Sequence, residues 1–261
     1  MSVTNQFIAA IGTGTLQSST GSTNVAVVPH ANTRRGDLLV LLVYATGGDL
    51  TVAVDAGDGW QVLSSGYDSA NSVGILLAAM VANQDGAGSY AGLTLPASMA
   101  YTAHVATYAL GYSGSPVALR FLEEFGVDQV GRDNGWTFLS ATGTALDAPG
   151  ISFPYAQCVE LVGRGYNNAG TTTTVGTITG FTETFDTGQA SPPHGIVLSI
   201  AQWARFGINT FISNGSIYRG TVTSNIAVTK TMRCGIRACI PILLNINGKS
   251  RHRQMQSRRV A

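Results

Sequence analysis

The chain partly matches itself when shifted by 121 residues. Leu38-Leu39-Val40-Leu41 falls on Val159-Glu160-Leu161-Val162. Gly59, opening Gly-Trp-Gln-Val-Leu, falls on Gly180, opening Gly-Phe-Thr-Glu-Thr. Gly74-Ile75-Leu76-Leu77 falls on Gly195-Ile196-Val197-Leu198. A further strand pair, 103–110 and 234–241, follows at an offset about ten residues larger. Three blocks in one register, with both glycines aligned, mark an internal duplication. Each half then holds four or five strands with one apolar face that it cannot bury alone. Packed face to face, two such halves make one sandwich with one core.

The rest of the pattern agrees with strands. Short runs of Val, Ile, Leu and Ala alternate with stretches rich in Gly, Ser and Thr, such as Gly12 to Thr23 and Thr171 to Thr174. Strands are expected over 24–28, 38–45, 51–54, 73–82, 102–110, 158–163, 195–203, 221–229 and 234–242. No amphipathic helices intervene, so the expected class is all-β: a duplicated antiparallel β-sandwich, jelly-roll-like, with little helix. One helical turn is expected over Pro116–Phe125. Residues 1–245 read as a single duplicated sandwich, with halves of about 10–130 and 131–245, and residues 246–261 as a basic C-terminal arm.

Charge narrows the setting. Only 11% of residues are charged, against roughly 25% in an ordinary soluble domain. So weak a charge protects poorly against association. It points to a chain packed against copies of itself or other subunits, so a homo-oligomer is expected. The net charge of +1 gives no general affinity for nucleic acid. Lys249, Arg251, Arg253, Arg258 and Arg259 crowd the end with no acid among them, leaving a mildly acidic body. These five are expected to dock the arm on carboxylates of a partner. Nucleic acid is the weaker partner for them, because no aromatic residue is interleaved.

The start carries no basic n-region, so no secretory signal is expected. The apolar runs Leu38–Ala45 and Ile75–Ala82 fall far short of the ~20 residues of a membrane helix, and no membrane association is expected. Cys158, Cys234 and Cys239 form neither a disulfide framework nor a zinc pair. Cys234 and Cys239 fall on opposite faces of one strand, which excludes a bridge between them.

Chemistry leaves little trace, and neither a catalytic set, a metal site nor a cofactor is expected. Asp55 and Asp58 read as a turn, and Glu123 and Glu124, being adjacent, do not converge on a helix. His30, His104, His194 and His252 lack any paired spacing, and His104 reads as a satisfied strand residue. Gly111-Tyr112-Ser113-Gly114 lacks nucleophile-elbow spacing, and Gly12-Thr13-Gly14-Thr15 lacks the lysine of a phosphate loop. Arg35-Gly36-Asp37 reads as a turn before a strand. Trp60 is assigned to the core. Trp136, in a polar turn, is the exposed aromatic expected to be available for stacking.

The duplication also contrasts two faces. Glu160, Val162 and Arg164 share one face of a second-half strand, and their charges suggest that it meets water. The equivalent first-half residues, Leu39, Leu41 and Val43, are all apolar, so that face needs cover. A subunit contact at Leu39, Leu41 and Val43, or a linker of the same chain, would supply it.

Gly36-Asp37-Leu38-Leu39-Val40, Gly59-Trp60-Gln61-Val62-Leu63, Ala79-Met80-Val81-Ala82, Gly88-Ser89-Tyr90, Tyr108-Ala109-Leu110-Gly111-Tyr112 and Ser115-Pro116-Val117 occur in that order. This order resembles a β-sandwich family of tailed-bacteriophage virions, found in fibres, in collar or tail appendages and on capsids. The resemblance spans roughly residues 10–245. The second half departs from it, with Gln157-Cys158 in place of Gly-Asp and Phe181 in place of Trp. It implies a structural protein of the virion, made in the host cytoplasm, whose partners are other virion subunits. The alternative is a carbohydrate-binding or receptor-binding module for a bacterial surface glycan.

Overall fold

The structure is a computed structural model that describes residues 8–51, 55–56, 59–88, 90–110, 135–153, 158–167, 175–203, 217–219 and 221–241. The helical turn expected at Pro116–Phe125 and the C-terminal arm lie outside these residues. No α-helix occurs among the described residues, and every strand pairing there is antiparallel.

The first half contributes β1 (Ile8–Thr13), β2 (Gln17–Val27), β3 (Leu38–Thr46), β4 (Asp55–Ala56), β5 (Gln61–Asp68), β6 (Val73–Val81) and β7 (Tyr90–Leu110). They form a sheet of order β1-β7-β3-β6-β5, with β2 and β4 also paired to β7. The second half contributes β8 (Gly135–Leu139), β9 (Gly143–Ala148), β11 (Cys158–Asn167), β12 (Thr182–Gly188), β13 (His194–Trp203) and β15 (Val222–Pro241). Their order is β12-β13-β11-β15-β8, with β9 also on β15. A small ribbon pairs β10 (Ile151–Phe153) with β14 (Ile217–Arg219). Each half therefore builds its own sheet, and the two strand orders correspond one to one.

The register carries the duplication to single residues. Leu42 faces Leu77 on β6, and Gly163 faces Leu198 on β13, both 121 residues on. A bulge falls between Val62 and Ser64 in the β5–β6 pair, and between Glu183 and Phe185 in the β12–β13 pair, again 121 residues on. The last strand pair is offset further. Thr46 faces Ala100 and Asn167 faces Thr231, an offset of 131, whereas Leu42 faces His104 and Gly163 faces Ile236, an offset of 132. The extra residue falls in a bulge at Met232, whose φ of 49° marks the inserted position.

The two sheets pack face to face around one apolar core. It holds Leu38, Val40, Leu42 and Tyr44 of β3 and Ile75 and Leu77 of β6. From the other sheet come Leu161 of β11, Ile196 and Leu198 of β13, and Ile236 and Ala238 of β15. Their period-2 spacing along each strand sends them all to the inner face.

β7 and β15 are longer than the sequence suggests, at 21 and 20 residues. Both bend. Ser22 pairs with Met99 but Asn24 with Thr94, and Gly143 pairs with Lys230 but Ala145 with Asn225. Beyond each bend the start of the long strand, with β2 or β9, lies over the outer face of its own sheet. Each sheet is therefore covered on both faces: by the other sheet inside, and by an outer layer of its own half outside. The segments 221–229 and 234–242, expected as two strands, correspond to the two limbs of the single strand β15, Val222–Pro241, with residue 242 outside the described residues.

Candidate functional site

The outer layers decide between the two covers expected for one face and correct the expectation for another. Leu39, Leu41 and Val43 do not await a partner subunit. They are at most 1% exposed and pack against Val25 and Val27 of β2, Leu93 and Leu95 at the start of β7, and Trp60. The cover comes from the same chain. The expected subunit contact at these three residues is replaced by a second apolar core. Trp60 closes it, as assigned from the sequence.

Glu160, Val162 and Arg164 do not meet water either; each is fully buried. The guanidinium of Arg237 donates from Nε to Glu160 and forms an ion pair with it, and its Nη1 donates to the Pro149 carbonyl at 3.0 Å. Arg164 donates to Ser199 Oγ at 2.6 Å and to Ser224 Oγ. Arg233 donates to the carbonyls of Ala145 and, at 2.9 Å, Ala141. These arginines rise from β11 and β15 and fasten the backbone and hydroxyls of the outer layer to the sheet. Apolar contacts there are smaller, with Leu146, Val175 and Ile226 in one group and Ala148 and Ile178 in another.

Burial lowers the Arg164 pKa to about 10, opposed by the charges of Glu183 and Asp186. Burial raises both of those carboxyls in turn. Asp186 also accepts the Val175 amide at 2.7 Å, which holds the segment before β12 against that strand's edge.

Sequence reading did not single out Arg233, Arg237, Ser199 or Ser224. The signal was present: Arg237 falls where the first half has Val105, since Leu41 faces Val105 and Val162 faces Arg237. A charge at a position where the duplicate is apolar marks a buried polar contact as readily as a solvated face.

Both described strand histidines lie between the two sheets. His194 is 1% exposed, its ring edge-on to Tyr44 at 4.8 Å between centroids, with Nε2 3.3 Å from Thr46 Oγ1. Burial depresses its pKa to about 4. His104 lies 4.6 Å from the Phe185 ring, and its Nε2 is 3.0 Å from the Gly14 carbonyl. Burial lowers its pKa as well, and the hydrogen bond to Gly14 partly offsets this.

Trp136 is 37% exposed. It is not free of the fold: its indole lies over Gly66 of β5, so that a Cβ there would come within 2.1 Å of the ring. It closes the edge where β8 runs beside β5. Arg35-Gly36-Asp37 is a turn, with Gly36 at φ 101° and Asp37 accepting the Arg34 amide at 2.6 Å. Cys234 and Cys239 are buried, and neither is in a disulfide. Among the described residues no group of three or more His, Cys, Asp or Glu is placed to hold a metal, and no helix is long and apolar enough to cross a membrane. Asp55, Asp58, Glu123, Glu124, Ser113 and His252 have no described side chain, and the docking-arm residues Lys249, Arg251, Arg253, Arg258 and Arg259 lie outside the described residues.

Comparison with protein-family models, curated proteins and solved structures gave no significant match.

Proposed function

We propose that this chain is a non-enzymatic structural component of a tailed-bacteriophage virion, a capsid-bound, neck or collar, or tail appendage protein acting through protein–protein contacts. The observation that carries this reading is the poverty of surface charge. The chain has 15 Lys and Arg and 14 Asp and Glu. Among the described residues, six of these, Asp37, Glu160, Arg164, Lys230, Arg233 and Arg237, are withdrawn into the interior. Among the described residues, what remains outside is dominated by Ser, Thr, Gly, Ala and Asn, a surface suited to close packing with neighbours that carries little penalty for desolvating ions. The Gly-Asp-Leu-Leu-Val and Gly-Trp-Gln-Val-Leu segments, and their resemblance to phage β-sandwich proteins, give that packing a setting.

In this reading the arm from Asn247 to Ala261 anchors the protein through its five basic residues to an acidic neighbour. Mass spectrometry of purified particles should find the chain at a fixed stoichiometry. Particles lacking residues 247–261 of this chain should incorporate less of it, and the residual binding should depend less on salt. Absence from intact particles would overturn the proposal.

A second reading, recognition of a bacterial surface glycan, is favoured by Trp136, whose ring is held in place by Gly66 and remains partly open to solvent. A glycan array probed with the intact protein and with Trp136→Ala distinguishes it: binding lost in the variant supports this reading.

A further inference from the structure

The contacts between the two sheets come in reciprocal couples. β1 meets β12 as β8 meets β5; β7 meets β13 as β15 meets β6; β12 meets β7 as β5 meets β15; β13 meets β3 as β6 meets β11. β3 meets β11, its own counterpart. This is the contact pattern of a two-fold axis between the halves, passing through the β3–β11 crossing. At that crossing the symmetry fails. Leu42 sits on its own counterpart Gly163, where a Cβ would lie 2.5 Å from Leu42 Cδ1. Tyr44 sits on its own counterpart Gly165, where a Cβ would lie 2.3 Å from the ring. Both protruding side chains belong to the first half, and both hollows to the second.

We infer that the inner face of each half is a two-fold pairing surface made one-way by the Leu42–Gly163 and Tyr44–Gly165 contacts, so that its fitted partner is the other half and not a copy of itself. Two first-half faces would bring leucine against leucine and tyrosine against tyrosine at the axis. Two second-half faces would leave voids there. The Tyr44 hydroxyl, donating to the Met232 carbonyl at 2.8 Å, adds a polar contact that reaches the bulge found only in the second half. Folded copies of the chain that assemble therefore join through other surfaces, and like halves of two copies cannot pair with each other.

A reciprocal exchange in the full chain tests this. Gly163→Leu should lower the melting temperature by roughly 5–10 °C through overpacking, and Leu42→Gly by a similar amount through the cavity it leaves. Because the axis places both side chains in one volume, the double variant should recover at least half of the summed loss. The milder set Leu42→Ala, Gly163→Ala and their double keeps the test open if the first set fails to fold, and the same recovery is expected. Losses that simply add in the double variant would overturn the two-fold assignment.

Discussion

The two outer layers solve one problem in opposite ways. In the first half, Leu39, Leu41 and Val43 on β3 meet Val25, Val27, Leu93 and Leu95, and the layer is held mainly by apolar burial, with the Tyr101 hydroxyl donating to the Asn24 carbonyl at 2.8 Å. In the second half the same sheet positions carry Glu160, Val162 and Arg164, and Arg237 takes the place of Val105. There the layer is held by directed bonds from arginines to Pro149, Ala145, Ala141 and Ser224. Apolar burial tolerates small shifts, because it depends on area rather than direction. A buried guanidinium must be satisfied in one geometry, because any arrangement that leaves it unpaired costs several kcal/mol. The first layer thus supplies stability, and the second fixes the position of its strands. The common backbone frame, down to the shared bulge, shows that the sheet does not dictate which solution is used.

The sharpest break in this contrast comes from charging the apolar layer. Leu41→Lys places an ammonium among Val25, Leu39 and Leu93 with no acceptor described there. A loss of more than about 5 kcal/mol is expected, enough to prevent folding. Soluble, cooperatively unfolding Leu41→Lys protein would show that the face opens easily and that a subunit could replace the intramolecular cover.

The next test makes the second layer resemble the first. Glu160→Leu alone strands Arg237 and should cost about 3–5 kcal/mol in denaturant unfolding. Glu160→Leu with Arg237→Val, the first-half residues at both positions, should recover most of that loss and finish within about 2 kcal/mol of the parent, less the bond to Pro149. If the double variant is as unstable as the single one, the layer depends on its arginines for more than charge balance.

The smallest expected effect uses His194, which stands where the first half has Val73. The folded chain keeps this imidazole neutral to about pH 4, whereas the unfolded chain protonates near 6.5. The stability conferred by the neutral ring is whole above pH 6.5, falls as the pH drops through the window to about 4, and is lost below it. The full loss is roughly 3 kcal/mol at most. Glu183 and Asp186, whose carboxyls burial raises, act in the opposite sense: they stabilise the fold as pH falls through their raised values. The parent and His194→Gln are therefore compared directly. Urea titrations from pH 7.5 to 4 should show the variant with a flatter profile across the window, and parallel profiles would remove His194 from the pH response.

Much of this was legible in the sequence, because a duplication records relations between positions and needs no side-chain contact. The offset of 121, the pairing of the Leu38, Gly59 and Gly74 blocks with their counterparts, the all-β class and the burial of Trp60 follow from spacing and residue type. What alternation could not say is what lies beyond a strand's second face. Period 2 separates two faces but does not tell water from an outer layer of the same chain. Leu39, Leu41 and Val43 thus read as a face needing cover from either a subunit or the same chain, and Glu160 and Arg164 as solvated charges. Only the tertiary structure decided both, because the bends in β7 and β15 fold each outer layer back over a sheet whose strands lie far away in sequence. The same holds for Gly163 and Gly165. Alone they are two small residues in a strand; with Leu42 and Tyr44 opposite them, they are the hollows that fit one half to the other.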